Sequence, residues 1–147
     1  MTKPKDFLNI FREINVKFSR LYASVLCQSD LTLPQFALLS YLAFQGAKSM
    51  TEASRELRVT KPAVTYLTDL LEKKKFVKRV TAPGDRRIHK LEITAKGSAA
   101  VERVQKLVLS FLFKSLDKFK EKEKKVVFDF YAVLAGLLNS FLEKEQL

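Results

Sequence analysis

Residues 50–97 read MTEASRELRVTKPAVTYLTDLLEKKKFVKRVTAPGDRRIHKLEITAKG, and their pattern decides the fold. Ser49 and Glu52 stand three apart, as a capping box requires, although Thr51 is an alternative cap. A short helix is therefore expected over Glu52–Leu57, with Arg58-Val59 as a turn. Thr60 is an N-cap residue and Pro62 belongs in a first helical turn, so a second helix is expected from Lys61 to about Lys74. Its buried face is Ala63, Val64, Leu67, Leu70 and Leu71, which leaves Lys61, Thr65, Tyr66, Asp69 and Lys73 outside. Two short β-branched runs follow, Phe76–Val80 and Ile88–Ile93, around the turn pair Pro83-Gly84. Thr94 is positioned to cap a further helix.

Charge collects on the same stretch. Between Arg55 and Lys90 there are 11 Lys or Arg against 4 Asp or Glu, so this segment carries seven of the chain's eleven surplus positive charges. A helix pair followed by a basic hairpin is the pattern of a winged helix-turn-helix, which holds duplex DNA.

The flanks are helical. Phe7, Phe11, Ile14, Phe18, Leu21 and Val25 recur in steps of three and four over an expected helix from Lys5 to Cys27. Thr32 and Gln35 form a second capping box, and the helix they open stops near Gly46. Beyond Thr94 a long helix is expected from Ala95 to about Phe119. The charged run Lys118–Lys125 reads as a break, and a last helix as Val126–Glu143. The terminal helices carry more apolar surface than one small domain covers, which suggests a dimer interface made by both ends of the chain.

With 147 residues, 47% hydrophobic, and only 4 Gly and 4 Pro, the chain has the makings of one mainly helical domain, or of two small intimately packed pieces. A pI near 9.8 calls for a polyanionic partner, nucleic acid or an anionic membrane surface. No stretch reads as long and apolar enough to span a bilayer, and Met1-Thr-Lys-Pro-Lys-Asp leads into no signal-peptide pattern. A cytoplasmic location is expected. Cys27, the single cysteine, is expected to be buried as a small apolar residue rather than activated as a thiolate. His89, the single histidine, falls on an exposed strand face and has no companion for a metal. No Gly-rich phosphate loop, nucleophile with its base, or paired carboxylates appear, so neither catalysis nor a cofactor is expected. Phe11, Phe18, Tyr22, Tyr41 and Phe44 are candidates to line an effector pocket or to fill the core.

The blocks Leu31-Thr-Leu-Pro-Gln-Phe-Ala-Leu-Leu, Met50-Thr-Glu-Ala-Ser-Arg-Glu-Leu, Val59-Thr-Lys-Pro-Ala-Val-Thr-Tyr-Leu and Asp85-Arg-Arg-Ile-His-Lys-Leu-Glu-Ile-Thr-Ala-Lys-Gly97 resemble the multiple-antibiotic-resistance regulator (MarR) family of transcription factors. The last block is the most specific. The resemblance implies a mainly α fold with a small β-hairpin wing. A winged helix-turn-helix would occupy 31–97, and 1–30 with 98–147 would form a helical dimerisation region. It implies a homodimer on double-stranded DNA with a recognition helix in each of two major grooves. It also implies a repressor of a pseudo-palindromic operator, released by a small phenolic, aromatic or anionic effector.

On that reading Thr60, Lys61, Pro62, Thr65 and Tyr66 meet DNA from the recognition helix. Arg86 and Arg87 sit at the wing tip, with Asp85 orienting Arg87 and Arg86 pairing internally or touching backbone, and Arg79 and Lys90 on the wing strands are phosphate candidates or plain surface charges. Lys78, Arg55 and Arg58 are further phosphate candidates. Two positions depart from the family's pattern: Lys75 stands where the family has Gly, and Ser54 where it tends to have a larger apolar residue. The alternative is a basic protein-interaction or nonspecific DNA-binding module with no small-molecule response.

Overall fold

The computed structural model describes residues 4–82 and 85–144, with side chains described for 5–81 and 89–144. The Pro83-Gly84 turn lies outside the described residues. In chain order the elements are α1 (Pro4–Gln28), α2 (Leu33–Gln45), β1 (Lys48–Ser49), α3 (Met50–Leu57), α4 (Lys61–Lys73), β2 (Val77–Ala82), β3 (Asp85–Ile93), α5 (Ala95–Leu116) and α6 (Glu121–Lys144). The chain divides into two compact units, Met1–Val108 and Leu109–Leu147.

Local chemistry sets the helix boundaries in the first unit. Thr32 accepts from the Gln35 amide, and the Gln35 side chain accepts from the Thr32 amide at 3.0 Å, which closes the capping box of α2. Gly46 ends that helix with φ of 75°, a left-handed conformation suited to glycine. Ser49 and Glu52 close a second box with bonds of 3.2 and 2.7 Å. Glu52 lies in the first turn of α3 rather than beginning it, so the helix starts two residues earlier than its sequence suggested. Lys75 adopts φ of 62° after α4, so the position where the resemblance puts glycine keeps its left-handed turn with a lysine in it.

The wing is larger than the expected two-stranded hairpin. β1 pairs antiparallel with β3, Lys48 opposite Leu91 and Ser49 opposite Lys90, and gives a three-stranded sheet in the order β1-β3-β2 among the described residues. Two residues between Gly46 and a capping box carry too little pattern to read as a strand; only their partner in β3 defines them.

The core of this unit is aliphatic. Leu38, Leu39 and Leu42 of α2, Val64 and Leu71 of α4, Leu91 of β3, and Val101 and Val104 of α5 are almost wholly buried. Thr68 is buried among them and satisfies its hydroxyl by donating to the Val64 carbonyl at 2.8 Å. The Thr94 hydroxyl accepts from the Gly97 amide and so caps α5 as expected. Gly97 is required there because a Cβ would lie 2.2 Å from the Phe76 carbonyl oxygen.

The second unit corrects the sequence reading twice. α5 ends at Leu116, and α6 begins at Glu121 rather than Val126, so most of the charged run is helical. Lys124 pairs with Glu121 at 2.7 Å and Lys125 with Asp129 at 2.8 Å, one helical turn apart. α6 is also long and apolar enough to cross a membrane, with a mean hydropathy of 1.5, contrary to the expectation that no stretch qualifies. Its apolar residues lie on every side, so a single stripe understates its hydropathy. None of its described residues is buried, and Phe128, Tyr131, Leu137 and Phe141 are each more than half exposed.

A candidate nucleic-acid interface

The turn between α3 and α4 is fixed by two devices. Arg58 takes a left-handed conformation at the end of α3. The Ser54 hydroxyl donates to the Val59 carbonyl at 2.7 Å, while the Val59 amide donates to the Ser54 carbonyl at 3.1 Å. Ser54, unusual in its position, thus has a defined task that a larger apolar residue could not perform.

Thr60 caps α4, its hydroxyl accepting from the Ala63 amide at 3.3 Å. Lys61, Pro62, Thr65 and Tyr66 follow on the exposed side of the helix. Tyr66 is 64% exposed, so its ring is not packed into the core. Thr65 donates its hydroxyl to the Lys61 carbonyl at 3.0 Å, which leaves its oxygen to accept and its methyl group to make apolar contact. The cap and first two turns of α4 therefore present a cation, two hydroxyls and a phenol at a helix N-terminus, where partial positive charge favours a phosphate.

The wing places its cations unequally. Lys78 pairs with Glu92 across the β2–β3 ladder at 3.0 Å. Lys90 is half-buried, opposite Val80, and its charge helps hold the Glu52 carboxyl below the usual carboxylate range. The larger causes of that shift are the hydrogen bonds from Ser49. Arg79, a phosphate candidate from the sequence, is paired within the protein. Its guanidinium donates to Asp69 at 2.6 Å and to Glu72, and its backbone amide donates to Glu72 at 3.1 Å. Hydrogen bonding to Asp69 raises the arginine further above its ordinary range. Asp69 and Glu72 escaped the sequence reading as partners because they lie ten and seven residues from Arg79, on another element. Their spacing of three, on one side of a helix that leads into a strand, was the available signal. The side chains of Asp85, Arg86 and Arg87 lie outside the described residues; the backbone of all three belongs to β3.

His89 is exposed, as expected. Cys27 is exposed rather than buried, because it falls on the side of α1 facing an open groove of about 770 Å³. The groove is lined by Phe18, Tyr22, Leu26, Cys27 and Lys74, among others. Phe11, Tyr41 and Phe44, named with Phe18 and Tyr22 from the sequence, do not line it. Lys74, which had no assigned role, reaches the Asp30 carboxylate at 3.1 Å at its edge.

The family model described as MarR family matches residues 29–88. The chain is 25% identical over 125 residues to the HTH-type transcriptional regulator YpoP of Bacillus subtilis, covering 85% of each chain. The structure of transcriptional regulator Tm0710 from Thermotoga maritima superposes with a TM-score of 0.70 at 29% identity, covering 95% of this chain and 98% of that one. The Staphylococcus aureus MepR–DNA complex gives a TM-score of 0.70 at 25% identity, covering 90% and 98%.

Proposed function

Because the chain belongs to the MarR family of winged helix-turn-helix transcriptional regulators, we propose that it is a homodimeric repressor that binds a pseudo-palindromic operator in double-stranded DNA. The observation that carries this reading is the first two turns of α4: Thr60, Lys61, Pro62, Thr65 and Tyr66 stand together on an exposed face, on a helix whose opposite side is locked into the core by Val64, Thr68 and Leu71. A reader of base edges must be both rigid and exposed. MepR, similar over nearly its whole length, has been seen on DNA. Asp85, Arg86 and Arg87 are assigned to the wing tip, with Arg87, oriented by Asp85, toward the minor groove, Arg86 paired internally or on the DNA backbone, and Lys90 toward backbone phosphate.

Dimerisation is supported by apolar surface. Phe7, Ile10 and Phe11 of α1 are more than half exposed, and α6 buries none of its described residues. Exposed apolar area of this extent in a regulator calls for a second copy. Two-fold symmetry then sets the operator's half-sites about one helical turn apart. In the same reading 31–97 is the DNA-binding domain, 1–30 and 98–147 form the dimerisation region, and the protein acts in the cytoplasm. The groove beside Tyr22 is apolar, with the Lys74–Asp30 ion pair at its edge, and suits the ring of a small aromatic or phenolic effector that releases the operator.

The test is selection of duplex fragments from a random pool by the purified protein, with sedimentation to give its mass. Enrichment of an inverted repeat by a dimer is the expected result. A monomer, or a pool left unenriched, would overturn the proposal.

A further inference from the structure

Arg79 is joined to α4 at three points. One guanidinium nitrogen donates to Asp69 at 2.6 Å, the other donates to Glu72, and the Arg79 backbone amide donates to the second Glu72 oxygen at 3.1 Å. Asp69 and Glu72 lie one helical turn apart, so the fork of the guanidinium fixes both the distance of β2 from α4 and its rotation. The strand is stiffened in turn by pairing with β3, where Arg79 stands opposite Leu91 and Val80 opposite Lys90.

We propose that Arg79, Asp69 and Glu72 form a clamp that sets the angle of the wing against the recognition helix, and that Arg79 serves DNA recognition as a positioning residue rather than as a phosphate ligand. The inference rests on the reading of α4 and the wing as one DNA-binding surface. Charge counts against direct phosphate contact. The cluster holds one cation and two carboxylates, and a phosphate that drew Arg79 away would face both carboxylates unpaired. Exposure counts against a purely structural role. The side chains of Arg79, Asp69 and Glu72 are 34%, 51% and 29% exposed, and ion pairs this accessible contribute little to global stability. What the clamp does fix is orientation. A helix and a wing that enter different grooves act as two linked binding elements, and affinity is lost when their relative placement must be ordered on binding.

The test uses the duplex that the full-length wild-type protein enriches from a random pool. Its affinity is measured at several salt concentrations for wild type, Arg79→Met, and the double variant Asp69→Asn/Glu72→Gln. The double variant separates the possibilities by sign. Removing two negative charges near DNA would tighten binding by simple electrostatics, whereas losing the clamp weakens it. The expected result is a loss of about three- to tenfold for both variants, with thermal midpoints close to wild type and an unchanged slope of log affinity against log salt. An Arg79→Met slope shallower by about 0.9 would make Arg79 a phosphate ligand and overturn the clamp. So would a double variant that binds as well as wild type or better. If the double variant does not fold, Glu72→Gln alone carries the same opposition of signs. Variants that match a wild type able to bind sequence-specifically overturn the clamp alone. A wild type that enriches no duplex overturns the proposed function and the clamp with it.

Discussion

The Ser54 hydroxyl donates to the Val59 carbonyl across 2.7 Å, and the Val59 amide returns a bond to the Ser54 carbonyl. This reciprocal pair closes the turn that aims α4. Ser54→Ala removes the side-chain bond and leaves the exposed Val59 carbonyl to water. We expect a loss of about 0.5–1.5 kcal/mol in unfolding free energy, measured by denaturant titration. A variant as stable as wild type would show that the left-handed Arg58 alone holds the turn.

Thr60 caps α4 and is also proposed to meet a phosphate, and two substitutions separate these tasks. Thr60→Ala should cost about 1 kcal/mol of stability. Thr60→Asp keeps a good cap beside the positive end of the helix, so stability should hold while DNA affinity falls through repulsion of phosphate. Unimpaired DNA affinity in Thr60→Asp would leave Thr60 as a cap only.

Lys75 holds a left-handed conformation, φ 62°, at the end of the recognition helix. A lysine there is strained, and glycine is not. Lys75→Gly should raise the unfolding free energy by about 0.5–1 kcal/mol. No gain would mean that the glycine's extra freedom in the unfolded chain offsets the relief of strain.

The capping box of α3 makes stability depend on pH. Hydrogen bonds from Ser49 hold the Glu52 carboxyl below the usual glutamate range. A carboxyl depressed in the folded state contributes stability that is full above its unfolded pKa and is lost as pH falls through the folded one. Wild type should therefore exceed Glu52→Gln in stability at neutral pH, and the gap should close on acidification. Denaturant titrations of both proteins over a series of pH values give the comparison. A gap that stays constant would assign the effect to shape and not to charge.

Whether an element could be read from the sequence depended on how local its determinants are. Thr32 with Gln35 and Ser49 with Glu52 are bonds between residues three apart, so both helix starts were legible to within two positions. The exposed face of α4 was legible from the spacing of its apolar residues. β1 was not, because Lys48 and Ser49 become a strand only through Leu91 and Lys90, some forty residues away. The start of α6 was misplaced because a run of lysines and glutamates reads as a solvated break until Glu121–Lys124 and Lys125–Asp129 are seen to pair along a helix. The partners of Arg79 were not legible for the same reason: its two carboxylates lie on α4, and sequence alone gives no distance between a strand and the helix before it.

Arg87 is the wing residue on which the minor-groove assignment depends. Arg87→Ala should weaken operator binding by about 1–3 kcal/mol, read by fluorescence anisotropy of a labelled duplex. Undiminished affinity would remove the wing tip from the interface.

The central claim, a dimer that reads sequence while anchored on phosphates, is tested most directly by titrating the wild-type protein against the selected inverted repeat and against a scrambled duplex of equal length at two salt concentrations. The expected result is much tighter binding to the repeat at both, with affinity for either duplex falling steeply as salt rises. Equal affinity for the two duplexes would contradict it and leave a basic surface with no reader.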